Sequence, residues 1–267
     1  MVDFVRLEPV LTIIQAAIWT GRISKENPIS ICLVADQESA KTQSLLYFKN
    51  TSTLKYFSDV TSKPLGSFKG DIETKRLRHI VLLDLVRILT HGRGVGERTT
   101  QYLAGLMEEG QAITADAGGI QDWSGMPKVG VLMALTPDYY LSNRGKWRKT
   151  GFLTRFVRVW FDYSNDTQHV IHKAIQNGFA LPDARTEALP PDGQIIEIKA
   201  PQAEAIASMA STFSEIELVY GFRYHKQMRA LAKALALIEG VHEVTDSHVR
   251  KLLSWQRFFT ATTPVTL

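Results

Sequence analysis

Four short apolar runs, at residues 29–34, 78–84, 128–136 and 155–161, read as buried strands. The stretches between them change to helical spacing or to turn residues. An amphipathic helix is predicted over residues 9–21, and a second helix opens at Gln43. Residues 54–61 suit a further strand and turn. A helix through Tyr102 is followed by a short hairpin that ends near Ile120. After a Pro-rich connector at 181–193 and a strand-like run at 194–198, a long amphipathic helix covers 221–237. Another starts at Thr245 or Asp246, either of which makes a good N-cap. Together these predict an α/β core over residues 29–200, an N-terminal segment 1–28 docked on it, and a helical lid over 201–267.

The junction after the first strand carries chemistry. Ala35, Asp36, Gln37, Glu38, Ser39, Ala40, Lys41 and Thr42 have the spacing of a phosphate-binding loop in which both glycines are alanine. Such a loop needs an ammonium for the β/γ-phosphates and a hydroxyl for Mg²⁺, both presented at a helix N-terminus whose free N–H groups favour anions. Lys41 and Thr42 supply these two groups. Ala35 and Ala40 reach positive φ less easily than glycine. The second apolar run ends in Asp84, where a carboxylate would hold the water shell of the same Mg²⁺. Leu85 follows it, in place of a glutamate that would orient an attacking water.

The order of these motifs resembles the AAA+ ATPase module, most closely its MCM helicase and MoxR-like branch, from about residue 29 to 259. Residues 106–120 look like the MCM helix and pre-sensor hairpin. The run Met133-Ala-Leu-Thr136-Pro is similar to the "A-A-x-N-P" sensor-1 strand, with Thr136 in place of asparagine. Phe152-Leu-Thr-Arg155-Phe looks like "L-L-S-R-F", whose arginine acts in trans as a finger. The helices carrying Arg223 resemble the sensor-2 region and its closing helix. The resemblance implies a P-loop core with a three-layer parallel sheet, ATP and Mg²⁺ as cofactors, Asp84, Thr136, Arg155 and Arg223 as catalytic groups, and a homo-oligomeric ring, hexameric by expectation. The chain departs from the family at the loop glycines, at Leu85, at Thr136, and at Ala117, where MCM proteins carry a DNA-contacting lysine.

Composition narrows the picture modestly. The 267 residues are 45% hydrophobic and 22% charged, enough for a sizeable core. No apolar run approaches the ~18 residues of a membrane span, and the N-terminus lacks a signal pattern, so a cytoplasmic protein is expected. The single cysteine, Cys32, fits a reducing compartment, and the seven histidines form no ligand-spaced cluster. The formal charge of +4 permits nucleic-acid contact without requiring it. The densest basic stretch is read as a loop in which Lys146, Trp147, Arg148 and Lys149 grip a DNA backbone and stack on a base. The same cations also suit a solvated loop or a subunit edge. Three functions follow: an ATP-binding protein acting on DNA, as a helicase-like motor or loader that meets replication proteins of a phage or mobile element; a non-hydrolysing module that oligomerises or bridges proteins; or a MoxR-like chaperone ATPase.

Overall fold

The computed structural model describes residues 4–59, 67–90, 94–109, 113–116, 119–122, 124–179, 182–217, 219–260 and 263–267. In chain order its strands are β1 (Ser30–Val34), β2 (Leu54–Phe57), β3 (His79–Leu82), the hairpin strands β4 (Ile113–Asp116) and β5 (Gly119–Asp122), β6 (Gly130–Leu135), β7 (Phe156–Asp162), β8 (Glu197–Ile198), β9 (Glu243–Val244) and β10 (Val265–Thr266). Six of them form one parallel sheet in the order β2-β3-β6-β1-β7-β10. The apolar runs lack polar alternation because both faces of this sheet are covered. On β1, Ile31, Leu33 and the following Ala35 join one buried cluster, while Cys32 and Val34 join the other. Burial pushes the Cys32 thiol up to about 12, so it stays a protonated core residue.

The helices are α1 (Glu8–Thr20), α2 (Lys41–Leu46), α3 (Lys69–Glu73), α4 (Leu85–Thr90), α5 (Val95–Ala104), α6 (Pro137–Lys149), α7 (Asn165–Gln176), α8 (Ala200–Glu217), α9 (Phe222–Ile238) and α10 (Asp246–Thr260). One face of the sheet is covered by α1, α2 and α8 to α10, through side chains such as Ile13, Leu45, Met209, Leu231 and Trp255. The other face is covered by α3 to α6, through Ile72, Ile88, Leu103, Tyr140 and Trp147. A three-layer α/β architecture results.

Residues 201–267, expected as a helical lid, hold α8 to α10; α9 packs along α1, and its Leu231 and Leu235 share one continuous core with Ile31 and Val157 of the sheet. Lys233 of α9 also pairs with Glu26, just before β1, with both side chains mostly buried. The amphipathic pattern of α9 is the same for a detached lid and for a docked layer, so the sequence alone does not separate them. One expectation changes: the basic stretch is the last two turns of α6 rather than a loop. Tyr140 and Trp147, seven residues apart, turn the same face of that helix into the core.

The N-terminus of α10 shows how local chemistry sets a boundary. The Thr245 N–H donates to Nδ1 of His248, three residues on, at 2.9 Å, while Nε2 of that ring faces Glu239 at 2.9 Å. The buried ring thus occupies a position at the start of the helix that glutamate or glutamine usually fills.

Candidate nucleotide site

All strands of the sheet are parallel, so their carboxyl ends share one edge. β1 continues into α2 on one face, whereas its neighbour β6 continues into α6 on the other. Adjacent strands whose connections leave in opposite directions open a crevice at their carboxyl ends, the usual ligand site of such sheets. The 35–42 loop lies at that crevice. The Ala35 N–H donates to Leu135 O at 3.3 Å and ties the loop to β6. Glu38 (φ 61°) and Ala40 (φ 58°) both take the left-handed conformation. The loop therefore makes the turn that glycine would ease, at a backbone cost of roughly 1–2 kcal/mol for each such residue.

Replacing Ala40 with glycine removes that strain but loosens the unfolded chain by about 0.4–1 kcal/mol. Ala40→Gly is therefore expected to leave stability unchanged or raise it by up to about 1.6 kcal/mol in chemical denaturation. A loss of more than about 1 kcal/mol would show that the alanine methyl contributes packing that outweighs the strain.

Lys41 starts α2, and its ammonium turns back to donate to Asp36 O at 2.7 Å. Burial lowers its pKa from the ordinary lysine value, and the Asp36 carboxylate opposes that shift. Thr42, beside it, is half-buried. Tyr163, just past β7, donates its hydroxyl to Ser39 O at 3.0 Å and pins the loop from the other side. Burial raises that phenol to about 12.

Asp84 and Thr136 reach the same edge. Asp84 is exposed, and its Oδ1 accepts the Arg87 N–H at 3.2 Å at the start of α4. β6 separates β3 from β1, so Asp84 stands two strand spacings from the loop, roughly 10 Å. Across that span the Asp84 carboxylate would reach a cation at the loop only through water, which Mg²⁺, keeping several waters, would allow. Leu85 is fully buried and fills the core, so no second carboxylate follows Asp84. Thr136 occupies the N-cap position of α6 without a side-chain capping bond. Among the described residues, no group of three His, Cys, Asp or Glu side chains is placed to hold a metal ion by protein ligands alone.

A cavity of about 460 Å³ opens directly beside residues 38–43. Its walls are apolar: Phe4 and Leu7 from the N-terminal segment, and Ile171, Ile175 and Phe179 from α7 and just beyond. Cavities of this size and character suit a small organic ligand. These wall residues escape a motif search, because hydrocarbon side chains on a helix look like ordinary core. The one available signal was Ser164, which caps α7 by accepting the Thr167 N–H at 3.1 Å.

Arg155 and Arg223 lie elsewhere. Arg155 precedes β7, whose first residue pairs with Ser30, so it stands at the amino edge, about 16 Å of β1 away from the loop. Its side chain is only 6% exposed and donates to Gly151 O. Glu108 lies between the two arginines, 3.7 Å from Arg155 Nε and 2.5 Å from Arg223 Nε. Arg223 also donates to Thr154 Oγ1 at 2.9 Å. The expectation that Arg155 stands open at a subunit edge is corrected by this burial.

The basic group divides in the same way. Trp147 is 4% exposed and packs edge-on against Phe152, so it offers no face to a base, contrary to expectation. Lys146 pairs with Glu97 at 2.6 Å, while Arg148 and Lys149 are exposed at the end of α6. Three cations in the last turn also complement that helix's dipole. The hairpin expected near residue 120 is present as β4 and β5, and Ala117 lies outside the described residues.

No protein-family model matches this chain, and no curated protein matches it. Among the described residues, no helix is long and apolar enough to cross a membrane.

Proposed function

We propose that the chain is an ATP-binding module of the AAA+ type that uses Mg²⁺ and acts on DNA. The observation that supports this most is the joining of the 35–42 loop, at the β1/β6 crevice, to an apolar cavity of about 460 Å³. On this reading the Lys41 ammonium exchanges the Asp36 carbonyl for the β/γ-phosphates, and the loop N–H groups donate to the remaining phosphate oxygens. The Thr42 hydroxyl and, through water, the Asp84 carboxylate hold the cation. The base and sugar enter between Phe4, Ile171 and Ile175. Mg²⁺ would neutralise phosphate charge when bound.

Leu85 favours the non-hydrolysing variant of this reading. It is buried where a water-orienting carboxylate would otherwise stand. Ring assembly, with a hexamer as the form the resemblance implies, would require Arg155 to leave Glu108 and turn outward toward a neighbour's nucleotide. A helicase loader or a regulatory subunit of a replication complex fits slow turnover better than a motor does.

The test is thermal unfolding with nucleotide, together with phosphate release. At a free concentration of about a hundred times Kd, a ligand adds about 2.7 kcal/mol, roughly 5–10 °C for a chain of this size. Such a rise with ATP and Mg²⁺, with phosphate release near background, is expected. No rise at millimolar ATP would contradict the nucleotide reading, and rapid release would contradict the role given to Leu85.

A further inference from the structure

The cavity beside residues 38–43 has two chemically distinct sides. Its polar lining residues belong to the loop and the start of α2, apart from Tyr163, whose hydroxyl is committed to Ser39 O. The rest is hydrocarbon: Phe4, Val5 and Leu7 on the N-terminal segment, and Ile171, Ala174, Ile175 and Phe179 from α7 onward. None of these seven side chains has a hydrogen-bonding group. Main-chain groups on these walls are engaged with one another. Phe4 O accepts the Leu7 N–H at 3.1 Å, Leu7 O accepts the Leu11 N–H at 2.9 Å, and the Phe179 N–H donates to Ala174 O at 2.9 Å.

The seating of α7 adds a second observation. Its first turn is fastened: the buried Thr167 hydroxyl donates to Leu267 O and accepts from Arg6 Nη1 at 3.0 Å. Beyond that turn the stripe of Ile171, Ala174 and Ile175 lines the cavity, and Ile175 is 59% exposed. An amphipathic helix ordinarily presses such a stripe onto a core. Here a flat ligand laid against it would cover hydrocarbon with its face and keep its edges in water.

Adenine and guanine present similar flat faces and differ in the groups on their edges. A site that hydrogen-bonds those groups can separate two ligands by a factor of about 10⁴–10⁵, whereas apolar contact separates near-isosteres by only about 10- to 200-fold. We infer that this cavity accepts purine nucleoside triphosphates as a class, with adenine or guanine, holding the base by contact with Phe4, Ile171 and Ile175 and leaving its edge unread. The inference rests on the nucleotide reading above and sets which nucleotides satisfy it.

The experiment is calorimetric titration of the full chain with ATP, GTP and inorganic tripolyphosphate, each with Mg²⁺. ATP and GTP are expected to bind with Kd values within about tenfold of each other, the low end of what apolar contact discriminates. Tripolyphosphate, which has no base to bury, should bind at least about tenfold more weakly than either. Ile175→Ala should weaken ATP and GTP alike by about fourfold, the equivalent of one buried methylene, and leave tripolyphosphate unchanged. Because Ile175 is half open to solvent, this variant should keep the wild-type melting temperature. Gln43→Ala should leave the ratio of ATP to GTP affinity unchanged. A preference of a hundredfold or more for either nucleotide would overturn the inference while the nucleotide reading stands, as would a ratio that shifts in Gln43→Ala, which would assign base reading to that amide. Tripolyphosphate binding as tightly as ATP would overturn it by removing the base from the cavity, with the loop still holding phosphate. Binding of none of the three would remove the nucleotide reading itself, and the inference with it.

Discussion

Gly130→Ala is expected to be the most damaging single-methyl change in the sheet. A Cβ at this position would lie 2.3 Å from Cδ2 and 2.6 Å from Nε2 of His79, and 2.9 Å from the carbonyl oxygen of Ile29. Side chains do not occupy such separations, so the central strands must part or the imidazole must move. His79 has nowhere to go: it is fully buried, and burial, with Arg78 nearby, depresses its pKa to about 3, so the ring is neutral at pH 7. Overpacking of this kind costs about 3 kcal/mol, or some 6–12 °C in melting temperature at this chain length. Pairing the change with His79→Ala should recover only part of the loss, because the Ile29 carbonyl remains in the way. A melting temperature within 2 °C of wild type, on the same scale, would show that strands β3, β6 and β1 are not packed with this register.

Lys41→Ala should be the most damaging change to ligand binding and one of the mildest to the fold. The ammonium donates to a carbonyl of its own loop and to nothing in the core, so removal should cost at most about 1 kcal/mol of stability. Against a polyphosphate the same group makes charge-assisted hydrogen bonds worth about 1.5–3 kcal/mol each. Losing two of these raises Kd by at least a hundredfold. Asp84→Ala should weaken binding less, and only with Mg²⁺ present, since on the proposed reading Asp84 acts through the cation. Comparable affinity of the Lys41 variant and wild type would separate the 35–42 loop from phosphate binding.

How far the sequence was legible differs from one element to the next. The sheet was legible because strands buried on both faces leave uninterrupted apolar runs, and the runs at β1, β3, β6 and β7 are of that kind. β10 was not: Val265 and Thr266 are too short a run to register, and they become a strand only because the edge of β7 is there to pair with. The passage from β1 to a helix was legible from the apolar run and the residues after it, but the left-handed turns at Glu38 and Ala40 ran against the propensity of those residues, and tertiary context prevailed. Trp147 misled because a tryptophan among four cations looks the same whether the ring faces solvent or the core. Its seven-residue spacing from Tyr140 was the available clue. Arg155 misled for a related reason: a motif fixes the residue type but not its burial, which here depends on Glu108, 47 residues earlier in the chain.

Calorimetric titration of the full chain with ATP in Mg²⁺ tests the central claim most directly. The account predicts saturable binding with one nucleotide per chain, weakened when Mg²⁺ is withdrawn and lost in Lys41→Ala. An absence of heat at millimolar ATP, or binding that survives the loss of Lys41 unchanged, would contradict it.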